Sequence, residues 1–162
     1  YGEFFPLPEP LIMPDGARIM SLRDGTKKMS KSDPSDYSRI SLTDTADDIA
    51  AKFKKAKSDM EPGITYDEGK RPEASNLLQI YATLSGEPLE KTRARFESSD
   101  FSSFKTELAD LAVDKLSPIT ARMREYLSDT QQVDEILQRG TERAVAMTIT
   151  VINEVKERVG FW

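Results

Sequence analysis

Lys27-Lys28-Met29-Ser30-Lys31-Ser32-Asp33-Pro34 has neither the 3.6-residue period of a helix nor the alternation of a strand. Gly25 ahead of it and Pro34 at its end mark a mobile loop. Such a loop offers the ammonium groups of Lys28 and Lys31, the hydroxyls of Ser30 and Ser32, and free backbone N–H groups. All of these can donate, and an anion is the ligand that uses them together. A polyphosphate fits, because lysine meets phosphate as a point charge. A solvated basic turn has the same composition, so residue types alone leave both readings open.

Upstream, Pro6, Pro8, Pro10 and Pro14 follow the aromatic pair Phe4-Phe5. Prolines at this density exclude a helix and a central strand, so an extended connector is expected. Tyr1-Gly2-Glu3-Phe4-Phe5 is no initiator sequence, and the expectation is a piece of a larger protein cut inside its first domain. Arg18-Ile19-Met20-Ser21-Leu22 suits a strand or strand edge, with Asp15-Gly16 before it and Asp24-Gly25 after it as turn signals.

Downstream, Thr45 and Asp48 have capping-box spacing, and a helix is expected over about 46–58. Ile49, Phe53 and Ala56 mark its apolar face. Lys52, Lys54, Lys55 and Lys57 fill the rest, either as a dipole-matched solvated face or as a nucleic-acid stripe. Residues 60–72 read as loop, with Pro62-Gly63 and Gly69 as breakers, and a domain boundary is expected there, with a long connection within one domain as the alternative. Beyond Pro72 only helical periods occur. One helix (73–85) turns Leu77, Leu78, Tyr81 and Leu84 inward and stops at Gly86, and a short one after Pro88 carries Leu89 and Phe96. A third, with Phe101, Phe104, Leu108 and Leu111, is expected to end at Ser117-Pro118. Ile119, Met123 and Leu127 mark a fourth, and Val133, Ile136 and Leu137 a short turn ended by Gly140. A last helix opens at Thr141-Glu142, with Ala144, Met147, Val151 and Val155 as core and Gly160 as C-cap. Such a series forms an antiparallel bundle.

The chain has 162 residues, a formal net charge of −5, no cysteine and no histidine. That excludes disulfides and thiolate metal sites, and removes the commonest general base and metal ligand. The remaining lysines, arginines, carboxylates and hydroxyls suit electrostatic stabilisation of phosphate better than hydrolysis. No apolar run reaches the length of a membrane span.

Lys28-Met29-Ser30-Lys31-Ser32 is the KMSKS signature of class I aminoacyl-tRNA synthetases. Its flanks are Gly16-Ala17-Arg18-Ile19-Met20-Ser21-Leu22 before, Asp33-Pro34 and Ser38-Arg39-Ile40 after, and Arg71-Pro72-Glu73-Ala74-Ser75-Asn76-Leu77-Leu78 further on. With these the chain resembles the tryptophanyl-tRNA synthetases of bacteria, over nearly its whole length but over only the C-terminal half of the family's protein. The resemblance implies a mainly α fold. Residues 1–42 would be the C-terminal edge of a Rossmann-like α/β catalytic domain, a short strand plus the KMSKS loop. Residues 43–72 would be a connecting helix and loop, and 73–162 an α-helical anticodon-binding domain. It implies ATP and Mg2+, with Lys28 and Lys31 on the ATP phosphates. Ile19 and the Met29 backbone would border the adenine, and Ser30 and Ser32 would complete the loop. No residue is identifiable as a Mg2+ ligand, and Asp33 reads as a turn cap. The implied partners are tRNA(Trp) on the helical region and L-tryptophan in the half outside this chain. A cytoplasmic homodimer without membrane contact is also implied. Arg93, Arg95, Arg122, Arg124 and Arg143 are candidate RNA contacts, with solvated helix faces as the competing reading. A tyrosyl-tRNA synthetase, or a non-enzymatic helical interaction module with an accidental loop match, are the alternatives.

Overall fold

The computed structural model describes residues 1–12 and 16–161. Pro14 and Asp15, which entered the connector and turn readings, and the terminal Trp162 lie outside the described residues. The chain divides into two compact units, Ile12–Met123 and Tyr1–Leu11 with Arg124–Trp162.

The unit Ile12–Met123 begins with an antiparallel hairpin of β1 (Met20–Ser21) and β2 (Asp24–Lys28), in which Met20 lies opposite Lys28 and Ser21 opposite Asp24. The second strand was not expected, because Asp24-Gly25 reads as a turn. Gly25 serves another purpose. A Cβ built on it would lie 2.5 Å from the Pro72 carbonyl carbon and 2.6 Å from the Glu73 nitrogen. The glycine lets β2 press against the start of helix α2 (Pro72–Ser85). From the same helix, Asn76 accepts from the Met20 N–H at 2.9 Å and donates to the Met20 carbonyl at 2.9 Å. The hairpin turn is held as well: the Leu22 N–H donates to the Ser38 carbonyl at 2.9 Å, and the Leu22 carbonyl accepts from Lys57 N–H at 2.7 Å.

Helix α1 (Ala46–Lys54) starts at the expected capping box, in which Thr45 Oγ1 accepts from Asp48 N–H at 3.0 Å and Asp48 accepts from Thr45 N–H at 3.0 Å. Helix α2 opens with Pro72 in its first turn. It ends at Gly86, whose φ of 72° is the left-handed conformation a C-capping glycine supplies. Helix α3 (Leu89–Phe96) follows as expected, and then α4 (Phe101–Ser128). The expected break at Ser117-Pro118 is absent, and Pro118 lies inside α4. A proline removes one ladder bond, whereas buried Leu108, Ala109, Ala112 and Thr120 seat the helix on both sides of it.

The core of this unit gathers Leu22, Ile49, Phe53, Ile64, Leu77, Leu78, Tyr81, Phe96, Phe104 and Leu108. Its aromatic centre packs the rings of Tyr81 and Phe96 with centroids 4.8 Å apart and those of Phe96 and Phe104 at 4.7 Å. Residues on both sides of Pro72 belong to this core, so the 60–72 loop is no break in packing. That loop is wound around Arg71, only 3% exposed. Arg71 donates to Asp59 from NH2 at 2.6 Å and from Nε at 3.1 Å, to Thr65 Oγ1 at 2.8 Å and to the Gly63 carbonyl at 3.0 Å. The Asp59 hydrogen bond raises the arginine's pKa further. Burial pushes the Asp59 carboxyl up, but the hydrogen bond from Arg71, the backbone N–H of Glu61 and the arginine's charge together make the net shift downward.

In the second unit, α5 (Thr130–Val159) runs unbroken through Gly140, where a separate short turn was expected. Its C-cap is Gly160 at φ 78°, as expected. Arg158 lies over the Phe4 ring at 4.7 Å. None of the helix's residues is buried, and Met147 is 77% exposed. The expectation of Ala144, Met147, Val151 and Val155 as core is therefore corrected: burial needs a facing surface, and periodicity alone does not supply one. The mainly α class holds.

Two glycines give opposite expected outcomes in urea unfolding. Gly25→Ala destabilises by about 1–3 kcal/mol, through the clash with the Pro72 backbone. Gly140→Ala, with open space around it, stabilises by about 0.5–1 kcal/mol.

Candidate functional site

The basic segment is anchored at both ends. Lys28 is the last residue of β2, not a loop residue as expected, because its backbone pairs with Met20. The next residue, half-buried Met29, donates its N–H to the Ile19 carbonyl at 3.0 Å. The structure thus brings together Ile19 and Met29, both packed against the edge of the core. Then the chain turns. Ser30 Oγ and Ser32 Oγ lie 2.9 Å apart, and Asp33 N–H donates to the Ser30 carbonyl at 3.4 Å. Asp33 caps the following turn, accepting from Ser35 N–H at 2.8 Å, as its expected role required.

Lys28 and Lys31 are exposed, and among the described residues neither enters an ion pair. Their neighbour Lys27 is different: its ammonium lies 3.1 Å from Asp24. Asp24 also accepts from Thr26 Oγ1 at 2.6 Å and Thr26 N–H at 3.1 Å. These hydrogen bonds, the Thr26 hydroxyl first, hold the Asp24 carboxyl down at about 2. The nearest carboxylate on this strand is therefore already committed, to Thr26 and Lys27.

The arrangement can receive an anion. It presents two cations, Lys28 at a strand end and Lys31 in a turn, with the paired hydroxyls of Ser30 and Ser32 on either side of Lys31 in the chain. It forms one wall only. The adjoining cleft of about 460 Å³, lined by Arg18, Met20, Thr26, Tyr66, Glu68 and Asn76 among others, includes neither lysine. In it Tyr66 donates to the Glu68 carboxylate, and burial, then that bond, push the Tyr66 hydroxyl up to about 12. Among the described residues no group of three or more carboxylates or imidazoles could hold a metal ion. No helix described is long and apolar enough to cross a membrane.

Sequence reasoning left Lys52 either on a solvated face or in a nucleic-acid stripe. It is buried, 2.7 Å from Asp44 and 2.8 Å from Asp36. Burial pulls its pKa down, but the two carboxylates raise it overall. The acidic residues at 36 and 44 were the available signal. Asn76, a polar residue in the apolar run of α2, was a second one. Of the candidate RNA contacts, Arg93 pairs with Glu90 at 2.8 Å and Arg95 with Glu107 at 2.6 Å. Arg143 is exposed on α5.

The family model of class I tRNA synthetases (W and Y) matches residues 1–117. The tryptophan–tRNA ligase of Caulobacter vibrioides is 54% identical over 161 residues, which cover 98% of this chain and 47% of that protein. That of Rhizobium meliloti is 52% identical over 160 residues, 98% of this chain and 45% of that protein. Among solved structures, the tryptophanyl-tRNA synthetase of Mycoplasma pneumoniae matches with a TM-score of 0.81 at 29% identity, over 93% of this chain and 45% of that one. The chain spans about half the length of the curated relatives it matches.

An NMR titration of the Asp24 side chain is expected to show a midpoint near 2. Because the folded pKa is depressed, the Lys27–Asp24 contact persists down through the ordinary carboxylate range and is lost as pH falls through that midpoint. Thr26→Val, which removes the first donor, moves the midpoint upward.

Proposed function

The chain belongs to the class I tRNA synthetases that serve tryptophan and tyrosine, and from that premise we propose that it is part of a tryptophan–tRNA ligase. The names of its relatives favour tryptophan over tyrosine. The observation that carries the mechanism is the pair of exposed cations, Lys28 and Lys31, with no ion-pair partner among the described residues.

In the activation step a carboxylate oxygen of L-tryptophan attacks the α-phosphorus of ATP. The bond from that phosphorus to the bridging oxygen breaks, and its electron pair leaves with pyrophosphate. Tryptophanyl-AMP remains, and a terminal ribose hydroxyl of tRNA(Trp) then takes the acyl group and releases AMP. Charge grows on the bridging oxygen and the departing diphosphate. Ammonium groups aimed there bind the transition state more strongly than bound ATP, and only that difference raises the rate. Lys28 and Lys31 fill this role. Ile19 and the Met29 backbone border the adenine, and Ser30 and Ser32 complete the loop around Lys31. Mg2+ belongs to this chemistry as a phosphate counter-ion, but the described residues offer it no ligand set.

The amino-acid pocket and the opposing wall of the cleft belong to the rest of the synthetase, which acts as a cytoplasmic homodimer. The helical region 73–162 receives the anticodon, with Arg143 the most available of the candidate arginines. The chain by itself is inactive, since one wall of lysines binds phosphate weakly.

In the full-length synthetase, Lys28→Ala and Lys31→Ala each lower tryptophan-dependent pyrophosphate exchange by about 10²–10³-fold. Both leave unfolding stability within about 0.5 kcal/mol, as for exposed side chains generally. Undiminished exchange in both variants, or exchange by the 162-residue chain alone, contradicts this reading.

A further inference from the structure

The C-terminal end of the basic segment is tied into helix α1 by a relay of charges, and we propose that Arg39, backed by Lys52, is a positioning residue for Lys31. The inference rests on the ligase reading above.

The relay starts at the turn itself. Arg39 NH1 donates to the Asp33 carbonyl at 3.0 Å and to the Ser35 carbonyl at 3.3 Å, while NH2 lies 3.1 Å from Asp36 Oδ1. The other oxygen of Asp36 meets the Lys52 ammonium at 2.8 Å, and Lys52 meets Asp44 at 2.7 Å. Asp44 also accepts the Ser41 N–H at 2.8 Å. Three backbone points of residues 33–41 are thus referred to one lysine of α1.

The lysine of this relay is deep, with a side chain 4% exposed against 10% for Asp44. A buried ion pair is weak support for stability, because desolvation offsets most of the attraction, and apolar replacements often serve as well. What such a pair specifies is conformation. Here the segment it shapes, Asp36–Ser38, is a single 3₁₀ turn with no side-chain cap. The Arg39 fork uses three acceptors at once, a geometry lysine cannot reproduce.

The two lysines of the site depend on this relay unequally. Lys28 takes its place from β2, through its register with Met20. Lys31 lies inside the turn closed by Asp33 N–H on the Ser30 carbonyl, and the carbonyl of that same Asp33 is what Arg39 holds. Loss of Arg39 therefore displaces Lys31 and leaves Lys28 in position. A displacement of about 1 Å of a group acting on a transition state costs up to about a hundredfold in rate.

The test is a pair of double-mutant cycles in the full-length synthetase. The readout is the rate of tryptophanyl-adenylate formation per active site, with sites counted by the first-turnover burst. Arg39→Ala is expected to lower kcat roughly ten- to a hundredfold, with KM for tryptophan unchanged. Arg39→Lys gives an intermediate loss. In a Lys31→Ala background Arg39→Ala costs nothing further, whereas in a Lys28→Ala background its full effect remains. Equal losses in both backgrounds, as a general loosening of the fold would give, overturn the positioning role. So does an Arg39→Ala enzyme at full rate. An unsubstituted protein without tryptophan-dependent adenylate formation instead overturns the ligase reading, and this inference with it.

Discussion

Asn76 meets the backbone of Met20 with both arms of its amide, each at 2.9 Å. The rest of the site hangs on that contact. A hairpin of two short strands is barely stable alone in water, and β1 has only two residues. Two part-buried hydrogen bonds, each contributing about 0.5–1.5 kcal/mol, fix Met20 to α2. Lys28 then follows, because it stands opposite Met20. Gly25 completes the attachment by admitting the α2 backbone to a distance no side chain would allow. The edge that carries Lys28 is thus an extension of a helix, carried through a strand too small to hold itself.

Lysines in this molecule differ by what surrounds them, and Lys27, Lys57, Lys91 and Lys115 are exposed but ion-paired. Lys28 and Lys31 are exposed and without ion pairs among the described residues. Lys52 and Lys105 are buried and act as ties. Lys105 donates to the Ala56 carbonyl at 2.6 Å and to Ser58 Oγ at 3.1 Å, so it gathers the backbone that follows α1. Burial, and then the charge of Arg23, lower its pKa. Arg71 plays the same part for the loop between α1 and α2, and more strongly, since its fork matches a carboxylate. The cations that build the scaffold are paired or capped.

Much was legible without coordinates because it is local. The Thr45–Asp48 capping box, the left-handed glycines at 86 and 160 and the Asp33 turn cap all lie within four residues of what they satisfy. The inward faces of α1 and α2 could be read from spacing, since Ile49, Phe53, Leu77, Leu78 and Tyr81 are all buried. The basic motif was equally plain, being five consecutive residues. Errors fell where a punctuating residue was read by its type. Pro118 and Gly140 end helices often, yet here α4 and α5 run through them. Gly25 reads as a turn and is a strand residue under pressure from α2.

The amino-acid sequence by itself determined the helical class and the caps, because both depend on neighbours a few positions away. Only the tertiary structure decided which lysines face outward, where Lys28 stops being loop and becomes strand, and what holds the turn around Lys31. Those outcomes depend on partners distant along the chain: Met20 and Asn76 are 56 positions apart, Lys105 and Ala56 49. No local pattern encodes a partner at that range, since the bond forms only after the core has brought the two segments together.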